Sequence, residues 1–463
     1  MGNQIDTLVE GGMVVAGGMV REATVAIGDG KIVGLLSPGV DVSSAMARRI
    51  DATGKIVMPG IVDAHVHFGM FTAHIDDFTS ATTAAAYGGV TTVIIYAMGQ
   101  PGMPVGEYLE HWRTEGESRS VVDFAMHCRL PAPERGNTRQ FVDAFEAGVT
   151  SFKIFMAYRN QGIMYDDYSL LEALTFLGER QGIVCVHAEN GDLCDYLEDR
   201  FKARGQYSPE NFLSTRPSDA EVEATYRALT LARLAKCPLY VVHMTTPAAI
   251  ALVHQARLAG QRAWSETCPQ YLALTHDDVI RHGGLAKIAP PLRTSEERDG
   301  VWQAVMNGTV DVVGSDHAPY PFEMKSLPRE RFLEARFGMP NVETMLGVLY
   351  SEGVAKGRID LPRLVELLCE TPAKVFGLAP RKGAIAVGAD ADLVLFDPDA
   401  EWRVHRHDLH SLSGYSAYEG WTLRGKLVST IIRGEVVVED GTLRQSAGYG
   451  QYLARTPRAT GLA

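Results

Sequence analysis

Apolar and polar positions follow two different rhythms along this chain. Near both ends the apolar stretches are short, β-rich and broken by turns. They read TLVEGGMVV and TVAIGDGKIVGLL at the start, ADLVLFDP and KLVSTIIRGEVVVEDGTL at the end. Gly-Asp and Arg-Gly at such breaks are hairpin chemistry. The two ends therefore predict a small β-sandwich assembled from both termini. The centre, from about residue 55 to 375, behaves differently. Eight apolar runs appear in order: GIVDAHVHF, VTTVIIYA, VVDFAMHC, TSFKIFMAY, GIVCVHAEN, LYVVHMT, AWSETCPQY and VDVVGSDHAP. Helix-like stretches such as SLLEALTFLGERQG and AEVEATYRALTLARLAK separate them. Near-continuous apolar strands fit a sheet buried on both faces, and alternation with helices fits parallel crossovers. The expected fold class is α/β: a TIM-like (β/α)8 barrel with a small β-sandwich domain. A doubly wound sheet shows the same alternation and is the alternative. The expected divisions are 1–54 and 376–445 for the sandwich, 55–375 for the barrel, and 446–463 for a tail or oligomerisation arm.

The chain has 463 residues, 46% of them hydrophobic, enough for one large barrel or two to three domains. Its formal net charge of -12 argues against nucleic acid or an anionic membrane as partner and for a small molecule. The cysteines at 128, 185, 194, 237, 268 and 369 form no C-x-x-C pair, and several sit in apolar runs. They read as free buried thiols of a reducing compartment. The opening MGNQIDTLVEGG shows neither the basic nor the apolar region of a secretion signal, and no apolar run reaches membrane-spanning length. The expected location is the cytoplasm.

Polar residues recur where the central runs end. The first run carries His65 and His67, the fourth Lys153, the fifth His187, the sixth His243 and the eighth Asp316. In an extended segment, residues two apart face the same side, so His65 and His67 suit a grip on one ion. In a (β/α)8 barrel these strand ends converge on one face, where active sites sit. Four imidazoles, a carboxylate and a lysine there make a metal site. Lys153 lies among apolar residues, where a charged amine is costly. A neutral amine can react with carbon dioxide to give a carbamate, an anionic ligand able to bridge two metals. Each residue alone has an ordinary role: a hydrogen-bonded histidine, a snorkelling lysine, a helix-capping aspartate. The coincidence of all six at strand ends carries the reading. His317 is assigned to the outer layer beside Asp316, and the remaining histidines receive no role.

The chain resembles the cyclic amidohydrolases, namely dihydropyrimidinases and hydantoinases, with allantoinase and dihydroorotase as relatives. The resemblance spans nearly the whole chain. Its words occur in family order: MPGIVDAHVHF, AAAYGGVTT, SFKIFMAY, VHAEN, ETCPQYL, KIAPPLR, GSDHAP and CETPAKVFGLAPRKGAIAVGADADLVLFD. It implies two divalent metal ions, with zinc the usual ion and manganese or cobalt as substitutes. His65 and His67 would bind the first, His187 and His243 the second. Lys153, as its carboxylated form, would bridge them, and Asp316 would complete the first site. Asp316 would also move the proton, while Tyr158 would donate to the developing oxyanion. Ala289 and Asn341 would contact the substrate. The implied reaction opens a hydantoin or dihydropyrimidine ring to an N-carbamoyl amino acid. The implied assembly is a homotetramer or homodimer.

Departures from the family pattern narrow this. Dihydroorotases place an arginine shortly after H-x-H, where this chain has Phe68, Gly69 and Met70. Allantoinases generally lack the tyrosine at the place of Tyr158. Many D-hydantoinases have a serine where this chain has Ala289. Met70, Phe71 and Met98 are expected to wall an apolar pocket for the exocyclic group. Allantoin or a cyclic imide is the alternative substrate, and another reaction on the same metal frame a further one. A non-catalytic scaffold, as in relatives that lost metal ligands, conflicts with all six positions being filled.

Overall fold

The computed structural model describes residues 5–40, 47–130 and 135–456. Each central run forms a strand. These are β1 (Ile61–Val66), β2 (Val90–Ala97), β3 (Asp123–Arg129), β4 (Ser151–Phe155), β5 (Ile183–His187), β6 (Leu239–Val241), β7 (Ala263–Thr267) and β8 (Val312–Val313). They pair in parallel and in chain order. Every residue of β1, β2, β5 and β7 is buried, as a sheet covered on both faces requires.

The sheet closes on itself, which excludes the doubly wound alternative. A parallel bridge joins Val66 to His317. The His67 N–H donates to the His317 carbonyl at 2.7 Å. The Ser315 N–H donates to the Asp63 carboxylate at 3.0 Å, and its hydroxyl to the His65 carbonyl at 3.2 Å. Burial raises the Asp63 carboxyl to about 6 even though these donors favour its charge.

Helices return the chain between strands. Asp77, Asp166, Asn190, Thr246 and Thr294 each accept a backbone N–H of the first turn they precede. Those donors have no partner inside a helix, so a polar residue at these five turns fixes where the helix starts. Side chains fill the barrel interior, among them Val62, Ile94, Ala125, Cys185 and Tyr240, with Phe376, Leu378 and Leu453 packed against them. Leu453 belongs to a segment that pairs with the start of β3: its N–H donates to the Phe124 carbonyl at 2.8 Å.

The two ends of the chain meet in one mixed nine-stranded sheet. Strands Thr7–Ala16, Met19–Gly28, Lys31–Leu36, Arg48–Asp51 and Ile56–Pro59 come from the N-terminal side. Strands Leu393–Arg403, Thr422–Ile432, Glu435–Glu439 and Thr442–Leu443 come from the C-terminal side. The halves join where Ile56–Pro59 runs antiparallel to Leu393–Arg403, with Leu393 opposite Pro59. Val9, Val25, Ile32 and Val57 share one core with Leu393, Leu395 and Ile431.

A buried charge cluster ties this sheet to the barrel. Lys382 Nζ donates to Asp123, the first residue of β3, at 2.6 Å and to Asp392 at 2.7 Å. Asp390 lies 3.0 Å from the same ammonium, and Arg433 also pairs with Asp123. Burial opposes the Lys382 charge, but the three carboxylates outweigh it and raise its pKa. Lys382→Met would strand buried carboxylates, at a cost of about 3–5 kcal/mol. The expected outcome is a clearly lower urea midpoint. An unchanged midpoint would show that the cluster is not what fastens the two units.

Candidate metal centre and active site

The six expected polar residues gather at the C-terminal end of the barrel. His65 and His67 leave the end of β1, with their Nε2 atoms 3.1 Å apart. Asp316 Oδ1 lies 3.1 Å from His65 Nε2 and 3.4 Å from His67 Nε2. One ligand atom from each of these three falls within 4.8 Å of the others, a set that can hold a metal ion. Beside it, His187 Nδ1 and His243 Nε2 lie 2.9 Å apart. The His65 and His243 rings are 5.4 Å apart, so the two groups are neighbours. Lys153, on β4, is buried. Its Nζ sits 4.9 Å from the Tyr96 ring and 5.2 Å from the Phe155 ring.

Backbone geometry aims several of these groups. His243 has φ 42°, Asp316 φ 47° and Tyr158 φ 69°. Left-handed conformations are uncommon outside glycine and concentrate at functional sites. Here the chain turns sharply just past a strand end, and all three residues line one cavity.

Outer residues set the state of the imidazoles. The Glu266 carboxylate accepts the Nδ1–H of His65 at 2.5 Å, which leaves the His65 Nε2 lone pair facing His67 and Asp316. Glu266 is itself held by the His243 N–H at 2.9 Å and the Tyr240 hydroxyl at 2.8 Å. Glu189 accepts from His187 Nε2 at 2.9 Å, turning the Nδ1 lone pair toward His243. Burial opposes the Glu189 charge, but Arg216, 2.8 Å away, and His187 bring its pKa to about 2. Burial lowers His67, His187 and His243, and so keeps the rings neutral as metal ligation requires. The Nδ1 of His243 is buried without a hydrogen-bond partner. Burial also lowers Lys153 to about 8, with Asp316 acting the other way. Imidazole nitrogens converging with a carboxylate fit a divalent metal ion.

A cavity of about 300 Å³ opens over these groups. Met98, Arg129, Tyr158, Ala289, Tyr320 and Phe337 contribute to its walls. Burial raises the Tyr158 phenol, which therefore stays a donor. The segment 333–338 forms one side. Two buried lysines carry it: Lys287 Nζ donates to the carbonyls of Phe332, Leu333 and Ala335, and Lys325 Nζ to those of Arg336 and Gly338.

Residues 56–437 match the model of the Amidohydrolase family. The chain is 38% identical to a D-hydantoinase of Rhizobium radiobacter, over 97% of this chain and 99% of that one. It is 36% identical to an L-hydantoinase of Paenarthrobacter aurescens, over 97% and 98% respectively. The crystal structure of the dihydropyrimidinase from Brevibacillus agri NCHU1002 superposes with a TM-score of 0.92 at 36% identity, covering 98% of this chain and 99% of that one. The chain belongs to the hydantoinase and dihydropyrimidinase family of amidohydrolases. It is a hydrolase of carbon–nitrogen bonds in cyclic amides.

Sequence and structure differ around the rim of this cyclic amidohydrolase. Met98 lines the cavity, but Met70 and Phe71 do not: they pack against the barrel's outer core. Asn341 also stands outside the lining. It is buried, and its Nδ2 donates to the Ser315 carbonyl at 3.3 Å. His317 takes the outer position expected of it, 3.1 Å from Asp76. His74 and Arg129 line the cavity, although no pattern in the sequence singles them out. Glu189 and Glu266 lie within VHAEN and ETCPQYL, words that carry the family resemblance without pointing to a role for either acid. A glutamate two residues beyond His187 shares its side of an extended segment, so that pairing was readable. Glu266 reaches His65 across 201 residues, which no local pattern reports.

Losing an acid that orients a ligating histidine typically costs about 10–100-fold in metal affinity. Glu266→Gln should therefore weaken zinc binding by roughly that factor in a chelator competition titration. Unchanged affinity would remove Glu266 from the centre's support.

Proposed function

We propose that this enzyme opens a hydantoin or dihydropyrimidine ring to give an N-carbamoyl amino acid. The observation that carries the proposal is the convergence of two imidazole pairs and Asp316 around a buried lysine that has no described carboxylate within ion-pair distance. The resemblance of the whole chain to D- and L-hydantoinases supports the substrate class. The ligand assignment is His65, His67 and Asp316 for one ion and His187 and His243 for the other, with Lys153 as carbamate between them. Two divalent ions held there, zinc or in its place manganese or cobalt, would lower the pKa of water and polarise the amide carbonyl.

The chain's own groups supply the rest. Asp316 is buried, with its pKa raised by that burial, and can take a proton from the attacking water. It then returns the proton to the ring nitrogen as the carbon–nitrogen bond breaks. The Tyr158 phenol donates to the carbonyl oxygen as negative charge develops there. Ala289 lies in the cavity wall and meets the ring through its main chain. Asn341 contributes one layer back, by holding the Ser315 carbonyl next to Asp316. We also place the enzyme in the cytoplasm, as a homotetramer or homodimer. All six cysteines are free and buried, which suits a reducing compartment.

The direct test is ring opening of dihydrouracil, both enantiomers of a 5-aryl hydantoin, allantoin and succinimide, with added zinc or manganese and bicarbonate. Turnover of hydantoins or dihydrouracil, abolished by Lys153→Ala, is the expected result. Turnover of allantoin or succinimide alone would move the substrate to those rings. Metal-loaded protein that opens none of them would overturn the proposal. Tyr158→Phe should lower kcat by about 10²–10³-fold, the usual cost of one oxyanion donor. A change confined to KM would instead make Tyr158 a binding residue.

A further inference from the structure

Arg129 ends β3 and stands in the cavity wall beside Tyr158 and Met98. It is half-buried, and its neighbours are unusual for a guanidinium. Nη1 lies 2.7 Å from the Met98 sulfur, a weak acceptor, and the group sits 5.2 Å from the Phe155 ring. The ionisable groups around it are the phenols of Tyr320, Tyr108 and Tyr158, the imidazoles of His67 and His74, and the Lys153 amine. No carboxylate among the described residues lies within ion-pair distance. The contrast with nearby arginines is informative. Arg216 is held to Glu189 at 2.8 Å and Arg293 to Glu221 at 3.3 Å. Those buried cations near the site are matched by acids, whereas Arg129, in the cavity wall, is not.

Its position adds a direction. Met98, Arg129, Gln161 and Ile163 line both the metal cavity and a second cavity of about 750 Å³. Arg129 therefore stands where the two meet. A group attached to a ring held over the metal ligands would pass Arg129 on its way into the second space. A planar guanidinium without an internal partner matches a carboxylate best, through paired charge-assisted hydrogen bonds.

We infer that Arg129 is a specificity-determining residue that selects cyclic amides bearing a short carboxylate arm. The inference rests on the ring-opening activity proposed above and names its preferred substrate class. A competing role comes from the register of the sheet, where Arg129 is the β3 partner of Lys153 on β4. A cation there could serve the lysine carbamate instead. The two roles differ in what they discriminate: a carbamate partner acts on every substrate alike, an arm receptor only on acids.

The experiment compares isosteric arms on the metal-loaded enzyme. The substrates are 5-(2-carboxyethyl)hydantoin and its neutral amide, 5-(2-carbamoylethyl)hydantoin, together with the corresponding one-carbon-shorter pair. We expect kcat/KM to favour the acids by at least about 10-fold, the low end for a charge-assisted pair. Arg129→Met should remove that preference, mainly through KM, and Arg129→Lys should restore part of it. No preference for either acid in the unmodified enzyme would overturn the inference. An equal loss on acid and amide in Arg129→Met, with lowered metal content, would assign Arg129 to the lysine instead. Calorimetry with the ring-opened products, N-carbamoylglutamate against N-carbamoylglutamine, gives a readout that does not need turnover. Tighter binding of the acid, lost in Arg129→Met, would uphold the anion site even if no ring is opened. Equal binding of the two would sink it.

Discussion

The closure of the barrel between β1 and β8 is the constraint on which the site depends. β8 contributes only two residues to the sheet, so backbone pairing alone makes a weak seam. The gap is bridged by polar groups instead. The Asp63 carboxylate takes the Ser315 N–H, the Ser315 hydroxyl reaches the His65 carbonyl, and the His317 carbonyl takes the His67 N–H. These bonds alternate with the metal-binding side chains along the same two segments. Closing the barrel and bringing His65, His67 and Asp316 together are therefore one event. The buried donors and acceptors at the seam would each be costly if left open, which makes the alignment hard to relax.

Around that seam the chain is sparing with unpaired buried charge. Glu266 is satisfied by His65, His243 and Tyr240, and Glu189 by His187 and Arg216. Glu221 holds Arg293, and Lys382 neutralises the acids where barrel and mixed sheet meet. Lys287 and Lys325 use main-chain carbonyls, and in doing so stiffen one wall of the cavity. Against this pattern, Lys153 and Arg129 are distinctive. Both face the cavity and neither has an acid. One is suited to chemistry at the ring, the other to recognition of what the ring carries.

The acids behind the histidines also explain why the imidazoles are ready to bind metal. A buried ring that must stay neutral loses little by having one nitrogen hydrogen-bonded to a carboxylate and the other left as a lone pair. Glu266 and Glu189 impose that division on His65 and His187. The strained turns at His243 and Asp316 complete the alignment.

Much of this was legible in the amino-acid order. Strands buried on both faces must be largely apolar, so all eight announced themselves as runs, with helix-like stretches between them. The spacing of His65 and His67, and a lysine set among apolar residues, pointed to metal chemistry because local geometry and burial cost are properties of short segments. The tertiary structure alone decided what depends on distant partners. It closed the sheet through Asp63 and Ser315, 252 residues apart, and brought Glu266 to His65 across 201. It packed Met70 and Phe71 against the core, half-buried, and tied Asn341 to the Ser315 carbonyl outside the cavity lining. It also left Arg129 facing the cavity without an acid. Periodicity tells which side of its own strand a residue faces. Which groups stand opposite it is settled only when the strands close.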